Sequence, residues 1–263
     1  LMENGLSVTA LNHFIECPSK FLYESILKLP QAPSVSAEKG SAMHEAISAV
    51  WMLKNRSVKT AEKTLKGVVT EYLDKSFLSS GDKEALKKEL LDNSPIVAKA
   101  LEPHFNMPGE VSTERWVESP FDGKFEKEKV SMMIHGKLDA IVSFSDDVLV
   151  FDYKTRRAMS ESAIKGETKN DDGNYFRQLV FYKLLLQNDF RSRSKKVSTS
   201  LVFVSPDDYG RCPTVTLVVS DDDIKKVQNE IQDLIECVWS GNIVRKYCKD
   251  ADCKYCAYRK LLK

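Results

Sequence analysis

A short apolar run that leads directly into charged residues constrains the fold of this chain more than any other feature of its sequence. Residues 148–151 (VLVF) are typical of a buried strand, and Asp152 and Lys154 follow them. Because side chains alternate along a strand, Asp152 and Lys154 point to the same face. A plain salt bridge is the commoner reason for such a pair. The alternative is a catalytic pair, which requires a second acid, a metal ion and a substrate that a lysine can assist.

The composition is that of a globular protein without a strong overall charge. Of the 263 residues, 42% are hydrophobic and 29% are charged, with 39 basic against 38 acidic residues. Any basic surface for nucleic acid must therefore be local. The sequence has no apolar run of about 18 residues, the length of a membrane span. Its opening, LMENGLSVTAL, lacks the features of a signal peptide, so we expect a cytoplasmic protein without membrane association.

Periodic and alternating segments predict an α/β fold with a helical first part. We expect helices over residues 7–28 (interrupted near Pro18), 36–55, 58–78, 82–101, 171–188 and 221–241. We expect strands over residues 112–121, 130–144, 148–154, 197–206 and 213–220, the first three as an antiparallel meander. The chain is predicted to be a single domain over 1–263. Its parts are a mainly helical region (1–105), an α/β core (106–241) and a cysteine-rich tail (242–263).

Asp139 is the candidate for the second acid. It lies thirteen residues before Asp152, and one tight turn at 145–147 separates the two predicted strands. Antiparallel pairing of these strands brings the two carboxylates together, and a cation between them relieves their repulsion. Carboxylate oxygens suit hard ions such as Mg²⁺ or Mn²⁺. A lysine beside such an ion can position a water molecule and stabilise developing phosphate charge, which gives Lys154 a role.

Further polar residues are placed where they can join this site. His44 lies on a helix four residues after Gly40, and an imidazole can complete a metal shell. Gln178 and Tyr182 are four residues apart and share one helical face. Each of these also has an ordinary structural interpretation when it is taken alone. Glu114 and Glu118 in the preceding strand are both candidates for a further acid, and the sequence does not choose between them.

Four of these segments, taken in order, resemble the motifs of a known enzyme family. They are GSAMHE, GKLDAIV, VFDYKT and QLVFYKLLL, and their order and spacing are similar to those of the RecB-type branch of the PD-(D/E)XK nuclease superfamily. The opening LSVTALNHFIECPSKFLYESILKLP resembles the start of the nuclease domain of AddB-like and UvrD-like helicase-nucleases. The proline that leads the superfamily motif is absent, because Asp139 stands in KLDA.

The resemblance implies a restriction-endonuclease-like core, a mixed central sheet flanked by helices, and a set of roles. The implied metal ligands are His44, Asp139, Asp152 and the backbone carbonyl of Tyr153. Lys154 corresponds to the catalytic lysine, and Gln178 and Tyr182 match the Q-x-x-x-Y motif of this branch. The implied activity is Mg²⁺- or Mn²⁺-dependent cleavage of DNA, as an exonuclease acting on single strands that a helicase supplies in repair and recombination.

Four of the six cysteines suggest a second metal site. Cys248, Cys253 and Cys256 lie within nine residues, which is typical of metal ligands. Members of this branch that carry a 4Fe–4S cluster join one cysteine near the N-terminus to three near the C-terminus, and Cys17 matches the first. The tail departs from that pattern, because Leu262 stands where the last family cysteine is expected. The resemblance implies a cluster, and Zn²⁺ or no metal remain alternatives. Cys212 and Cys237 are predicted to be packing residues.

The segment 155–177 combines basic and aromatic residues beside the candidate site. Arg156, Arg157 and Arg177 are candidates for DNA contacts along a single strand, and a mobile solvated loop is the equally supported alternative. The sequence thus favours a metal-dependent DNA nuclease. A degenerate nuclease fold that binds DNA or a helicase without cutting is the main alternative. An interaction module built on the cysteine tail leaves Asp139, Asp152 and Lys154 unexplained.

Overall fold

The computed structural model describes residues 5–261, so the predicted position of Leu262 lies outside the described residues. The first part of the chain is helical, as predicted. Ser7 caps the first helix by accepting a hydrogen bond from the amide of Ala10 at 3.2 Å. The interruption at Pro18 is also present, and the helix after it ends in a π-helical segment, Phe21–Ile26. The helices of this part are α1 (Val8–Glu16), α2 (Pro18–Lys20), α3 (Val35–Trp51), α4 (Val58–Lys75) and α5 (Ser80–Phe105).

Helix α5 is longer than the sequence predicts, because it continues through two prolines, Pro95 and Pro103. A proline inside a helix removes one backbone hydrogen bond and is normally disfavoured. Near the first proline, the Ser94 hydroxyl donates to the carbonyl of Leu90 at 2.7 Å, which satisfies a buried polar group there. The buried side chains of α5 pack against α3, α4 and the sheet, and this packing outweighs the local cost.

The central sheet is mixed, as predicted. Its strands are β1 (Leu6–Ser7), β2 (Glu110–Phe125), β3 (Glu128–Ser143), β4 (Asp147–Lys154), β5 (Lys196–Phe203) and β6 (Thr214–Leu217). Strands β2, β3 and β4 form the predicted antiparallel meander. Strand β5 lies parallel to β4, whereas β6 is antiparallel to β5. Strand β1, which the sequence did not predict, pairs in parallel with β3 through Leu6 and Ile134.

Helices cover both faces of the sheet. The remaining helices are α6 (Glu161–Lys165), α7 (Asn174–Asn188), α8 (Asp221–Trp239) and α9 (Lys254–Leu261). Helices α1, α7 and α8 share one core with the sheet, which includes Val148 and Val150. Helices α3, α4 and α5 share the other, which includes Phe151 and Tyr153. Strand β4 is therefore covered on both sides, which explains its apolar run. Among residues 5–261, no helix combines the length and the apolar character needed to cross a bilayer.

The alternation of side chains between the two faces of the β2–β3 ribbon shifts by one residue halfway along the ribbon. Leu138 packs in the core of α7 and α8, but Ala140, two residues later, packs in the core of α3 to α5. The usual alternation therefore restarts at Asp139. The register of β2 and β3 skips Glu114 and Asp139, between the pairs Thr113–Ala140 and Arg115–Leu138, and Glu114 has a φ of +51° at this point. The site described below lies at this break in the sheet.

Candidate active site and cysteine cluster

The two candidate acids lie opposite each other just past the end of a strand pairing. The last paired residues of β3 and β4 are Ala140 and Phe151, so Asp139 and Asp152 occupy the next positions. Beyond this point β3 separates from β4 and pairs with β1 instead. The separation opens a gap at the sheet surface. Both carboxylates are nevertheless shielded from solvent, with Asp139 9% exposed and Asp152 1% exposed.

The imidazole of His44 bridges two of the predicted ligands. Its Nδ1 lies 3.1 Å from Oδ1 of Asp139, and its Nε2 lies 2.8 Å from the backbone carbonyl oxygen of Tyr153. The other carboxylate oxygen of Asp139 accepts the amide hydrogen of Tyr153 at 2.8 Å. Burial opposes a charge on His44, but the hydrogen bond and the charge of Asp139 raise its pKa to about 9. The His44 imidazole, the Asp139 carboxylate and the Tyr153 carbonyl are thus in contact, and the two oxygen acceptors attract positive charge to this position.

Glu114 is the acid that the structure adds to this point. Its ligand atom and those of His44 and Asp139 all lie within 4.8 Å of one another. The Glu114 carboxylate also forms an ion pair with Lys137 on the neighbouring strand. Its left-handed φ of +51° is unusual for a residue with a side chain and accompanies the break in strand pairing that turns its carboxylate toward His44. No sequence signal reports a backbone angle, which is why Glu114 and Glu118 were equivalent candidates.

Glu118, the other candidate, lies further along β2 and faces solvent. Its carboxylate accepts a hydrogen bond from the indole nitrogen of Trp116 at 3.3 Å. It is paired in register with His135, four residues from Asp139 along β3. The structure therefore brings Glu114 to the histidine and aspartate and leaves Glu118 outside the group.

Lys154 is held in a closed network on the opposite side of Asp152. Its Nζ lies 2.6 Å from Oδ2 of Asp152 and donates to Oε1 of Gln178 at 2.7 Å. The amide nitrogen of Gln178 donates to the hydroxyl of Tyr182 at 2.7 Å. That hydroxyl donates to Oδ1 of Asp152 at 3.2 Å and so closes the ring. The four predicted side chains fix one another's positions, because each contacts two others through a hydrogen bond or, between Lys154 and Asp152, an ion pair.

Asp152 contacts the side chains of the lysine network and not those of the metal-ligand group. Burial raises the pKa of its carboxyl, and the charge of Lys154 opposes that rise. Its two oxygens face Lys154 and Tyr182, and it does not belong to the group formed by His44, Glu114 and Asp139 among the described residues. A role for Asp152 as a metal ligand stays a prediction. Its present contacts make it the residue that orients Lys154.

The donor set at His44 fits a hard divalent ion. It consists of two carboxylates, one imidazole nitrogen and the carbonyl oxygen of Tyr153, and the His44 imidazole would lose its proton on binding the ion. Oxygen-rich donor sets of this kind suit Mg²⁺ and Mn²⁺. The hydrogen bonds to Asp139 also fix ligand orientation before an ion binds, as surrounding groups do in metal sites. The residues present are therefore compatible with the implied metal.

The three arginines predicted to contact DNA have different surroundings. Arg156 is exposed, and its guanidinium lies 5.7 Å from the ring centre of Tyr175, which also lies 4.8 Å from Nζ of Lys154. Arg157 is exposed and pairs with Asp208 at 2.8 Å. Arg177 is buried. Its guanidinium is fully engaged with protein acceptors: the carboxylate of Glu230, the side chain of Asn12 and the carbonyl of Asp172.

These positions change one prediction about DNA contacts. The bonds of Arg177 join α7 to α1 and α8, so we assign it a structural role and remove it from the predicted DNA surface. The sequence predicted a DNA contact for Arg177 because basic and aromatic residues in a loop before a helix are usually exposed. Arg177 falls on the first turn of α7, where Glu230 supplies the counter-charge that a buried guanidinium needs.

The four clustered cysteines meet although Cys17 is far from the tail in sequence. The Sγ atom of Cys256 lies 3.5 Å from that of Cys17 and 3.5 Å from that of Cys248. The Sγ atoms of Cys253 and Cys17 are 3.6 Å apart, and all four lie within 4.8 Å of one another. Burial raises the pKa of Cys256, but hydrogen bonds from Cys248 and Cys17 lower it to about 7, so one thiolate forms readily. Cys212 and Cys237 are buried outside this cluster.

The spacing of the sulfur atoms can be compared with that of a tetrahedral metal site. Four thiolates are the ligand number of a 4Fe–4S cluster as well as of a structural Zn²⁺ site. Four thiolates around one Zn²⁺, at a bond length of about 2.3 Å, stand about 3.8 Å apart. The observed distances of 3.5 to 3.6 Å, within an overall limit of 4.8 Å, are close to this spacing. The four cysteines are thus placed to share one metal centre, and the implied iron–sulfur cluster stays a prediction.

Comparison with known proteins agrees with this architecture. A putative exonuclease from Eubacterium rectale has a structure similar to this chain, with a TM-score of 0.60 and 14% sequence identity over 99% of this chain and 90% of that one. A weaker likeness, with a TM-score of 0.42 and 17% identity, is to the structure of SSO0001, over 89% of this chain and 77% of that one. A search of curated proteins found no match.

The family comparison covers nearly the whole chain. The description of the PD-(D/E)XK nuclease superfamily matches residues 5–261, which include the acids at the sheet break and the cysteine cluster. The mixed sheet between two helical layers is the restriction-endonuclease-like architecture that this match implies. The chain therefore belongs to the PD-(D/E)XK nuclease superfamily.

Proposed function

We propose that this protein is a metal-dependent DNA nuclease that hydrolyses phosphodiesters with a water molecule as the nucleophile. The observation that carries the proposal is that a group of metal-ligand candidates and a group that holds a lysine lie next to each other at Asp139 and Asp152. His44, Asp139 and the Tyr153 carbonyl lie on one side, and Asp152, Lys154 and Gln178 lie on the other. Membership of a nuclease superfamily supports the same conclusion.

The residues divide the work between ion binding and charge stabilisation. His44, Glu114, Asp139 and the Tyr153 carbonyl would hold Mg²⁺ or Mn²⁺. A divalent ion in such a site lowers the pKa of a bound water and polarises a phosphate oxygen. Lys154 carries its ammonium beside this position and stabilises negative charge on the phosphate. Gln178 and Asp152 hold Nζ of Lys154 in place, so little reorganisation is needed during the reaction.

The finer features of the activity follow from the resemblance and belong to this proposal. We propose single-stranded DNA as the substrate, a helicase domain or subunit as the partner, and a role in DNA repair or recombination in the cytoplasm. Exonuclease action is supported by the structural likeness to the E. rectale protein, whose description names that activity. A nuclease fold that only binds DNA or a helicase is less favoured, because each residue type needed for catalysis is present and in contact.

We also propose that the four cysteines hold one Zn²⁺ ion. The sulfur–sulfur distances of 3.5 to 3.6 Å support a single tetrahedral ion. The site joins Cys17, directly before α2, to the C-terminal tail. Its role is structural, because it lies apart from Asp139 and Lys154 in the fold.

A cleavage assay tests the nuclease. End-labelled single- and double-stranded DNA is incubated with Mg²⁺, Mn²⁺ or EDTA and with the wild type, Asp152→Ala or Lys154→Ala. We expect metal-dependent cutting that both substitutions reduce by at least about a hundredfold. Lys129→Ala, which removes an exposed lysine paired with Asp122 at the far end of the ribbon, serves as the matched control and keeps full activity.

Metal binding separates the two roles in the site. Titration calorimetry with Mn²⁺ should show that Lys154→Ala retains the affinity of the wild type, because Lys154 offers no ligand atom. Cutting by Asp152→Ala at the wild-type rate would mean that the site is assigned to the wrong residues. A folded wild type that binds Mn²⁺ but cuts neither substrate would favour the DNA-binding alternative.

A further inference from the structure

Among residues 5–261, no segment covers one face of the β2–β3 ribbon next to the candidate active site. On the covered face, Val117 and Ile134 are buried against α7 and α8. On the other face, Trp116 is 55% exposed and Met133 is 37% exposed. Large apolar side chains in an exposed row on a sheet are unusual for a surface without a ligand. This face is therefore a candidate binding surface.

An aromatic pair occupies the open face. The indole ring of Trp116 stacks on the imidazole of His135, with ring centres 4.4 Å apart and an angle of 22° between the planes. The two residues lie on neighbouring strands, since Trp116 is opposite Lys137 and His135 is opposite Glu118. The indole nitrogen donates to the Glu118 carboxylate at 3.3 Å, which fixes the orientation of the ring. We call this pair the aromatic platform.

The aromatic platform is continuous with the metal-ligand group. A groove of about 1,080 Å³ contains His44, Glu114, Lys137 and Asp139. A second groove of about 680 Å³ contains Trp116 and His135. Thr9 lines both grooves, so they adjoin. An extended ligand that fills the first groove therefore has the second groove next to it.

The separation suits neighbouring units of one nucleic-acid strand. Lys137 and His135 are two and four residues from Asp139 along β3, which places them up to about 7 Å and 13 Å away at 3.3 Å per residue. This is on the order of one or two nucleotides of an extended strand. A strand whose phosphate lies at Asp139 therefore reaches the platform with the next base or the one after it.

The charges around the platform favour a base over a phosphate. Two carboxylates, Glu118 and Glu24, and one ammonium, Lys28, line the same groove as Trp116, so the groove has a net negative charge that disfavours phosphate oxygens. Lys137, which is exposed and pairs with Glu114, lies between the platform and Asp139 and can contact the backbone. Aromatic side chains stack on every base and need no particular sequence. An unpaired base has an accessible face, whereas a base within a duplex does not.

We propose that Trp116 and His135 form a stacking platform for an unpaired base of the DNA strand whose phosphodiester lies at the candidate active site. This inference rests on the proposed nuclease function and specifies its substrate. Trp116 is a positioning residue, because it contacts the substrate away from the reacting atoms. The platform selects single strands over duplexes by requiring a free base face.

Binding to DNA without metal tests the platform independently of cleavage. Fluorescence anisotropy with labelled oligodeoxythymidine, with no divalent ion added and no chelator present, is measured for the wild type, Trp116→Phe and Trp116→Ala. We expect Trp116→Ala to weaken single-strand binding by about tenfold and Trp116→Phe to retain most of it, since a phenyl ring still stacks. Phe77→Ala removes an exposed aromatic between α4 and α5 and serves as the control with wild-type affinity.

Two further readouts make the result decisive. Tryptophan fluorescence should be quenched by the oligonucleotide in the wild type and much less in Trp116→Phe. In the presence of Mg²⁺ or Mn²⁺, Trp116→Ala should raise KM for single strands. Unchanged binding and quenching in the Trp116 variants would overturn the platform. Binding that depends on Trp116 in a protein that cuts no DNA would instead contradict the nuclease and leave the platform in place.

Discussion

Asp152 has a carboxylate that is 1% exposed and yet has partners on both of its oxygens. An isolated buried carboxylate is costly, so this position is acceptable only because Lys154 and Tyr182 accompany it. Gln178 then satisfies both Lys154 and Tyr182. Loss of any member leaves a buried polar group without its partner. The same arrangement that fixes the catalytic lysine therefore makes the site intolerant of single substitutions.

The choice between Glu114 and Glu118 gives a prediction at the residue scale. Glu114→Gln removes a charged ligand from the group with His44 and Asp139, so we expect Mn²⁺ affinity to fall by at least about tenfold. Glu118→Gln changes the same chemical group on the same strand, outside that group, and should leave the affinity unchanged. Titration calorimetry of both variants measures the difference. Equal losses in the two variants, or none in Glu114→Gln, would exclude Glu114 as a ligand.

Part of the site is predictable from residue order, and part is not. Asp139 and Asp152 follow from strand alternation and a tight turn, because those rules act locally. Gln178 and Tyr182 follow from helical spacing. Glu114 does not, since its position depends on a φ of +51° at the break in the ribbon. The burial of Arg177 depends on its pairing with Glu230, which lies 53 residues away, and no local sequence pattern predicts such a partner.

At the scale of elements, the helical first part of the chain supports the catalytic strand. His104, near the end of α5, stacks on Phe151 of β4 with ring centres 4.6 Å apart and an angle of 14°. Trp51 of α3 donates to the hydroxyl of Tyr153 at 2.9 Å. The helices α3 and α4 lie close to their predicted ranges of 36–55 and 58–78. The end of α5 was missed because packing around His104 and Phe105 carries the helix past Pro103.

The stacking of His104 gives a prediction for acid stability. Burial lowers the pKa of His104, so the unfolded state takes up a proton near pH 6.5, while the folded state does so only at lower pH. The contribution of His104 to the free energy of unfolding is therefore complete above pH 6.5 and is lost as the pH falls below it. We expect His104→Phe to lose less stability than the wild type between pH 7.5 and pH 5.5.

Urea unfolding at each pH measures this effect, and the comparison of the two proteins removes contributions that they share. His13, with a lowered pKa, and His44, with a raised one, are present in both. The phenyl ring keeps the contact with Phe151, so the difference reports the titration of His104. Parallel stability curves for the two proteins would show that protonation of His104 does not oppose folding.

At the scale of the whole molecule, the segment around Cys17 and Ser19 near the start of the described chain packs against the C-terminal tail. Cys17 and Cys256, separated by 239 positions, have sulfur atoms 3.5 Å apart. Arg259 of α9 adds a second link, because its guanidinium donates to the hydroxyl of Ser19 at 2.8 Å and to the carbonyl of Lys246 at 2.7 Å. The sequence indicated a cysteine site but not its geometry. The sulfur positions depend on how the tail returns to α2, which is a property of the complete fold.

The cysteine cluster that joins these two segments gives the last prediction. An ion held by Cys17, Cys248, Cys253 and Cys256 closes a loop of most of the chain, so its removal should lower the free energy of unfolding by about 3 to 5 kcal/mol. Protein purified anaerobically should contain one zinc per chain by mass spectrometry. Chelation, or Cys253→Ser, should remove the zinc and lower Tm, whereas Cys212→Ala should keep the metal because Cys212 lies outside the cluster. Four irons with matching sulfide per chain would contradict the single-ion site and show that the sulfur atoms move apart to hold a cluster.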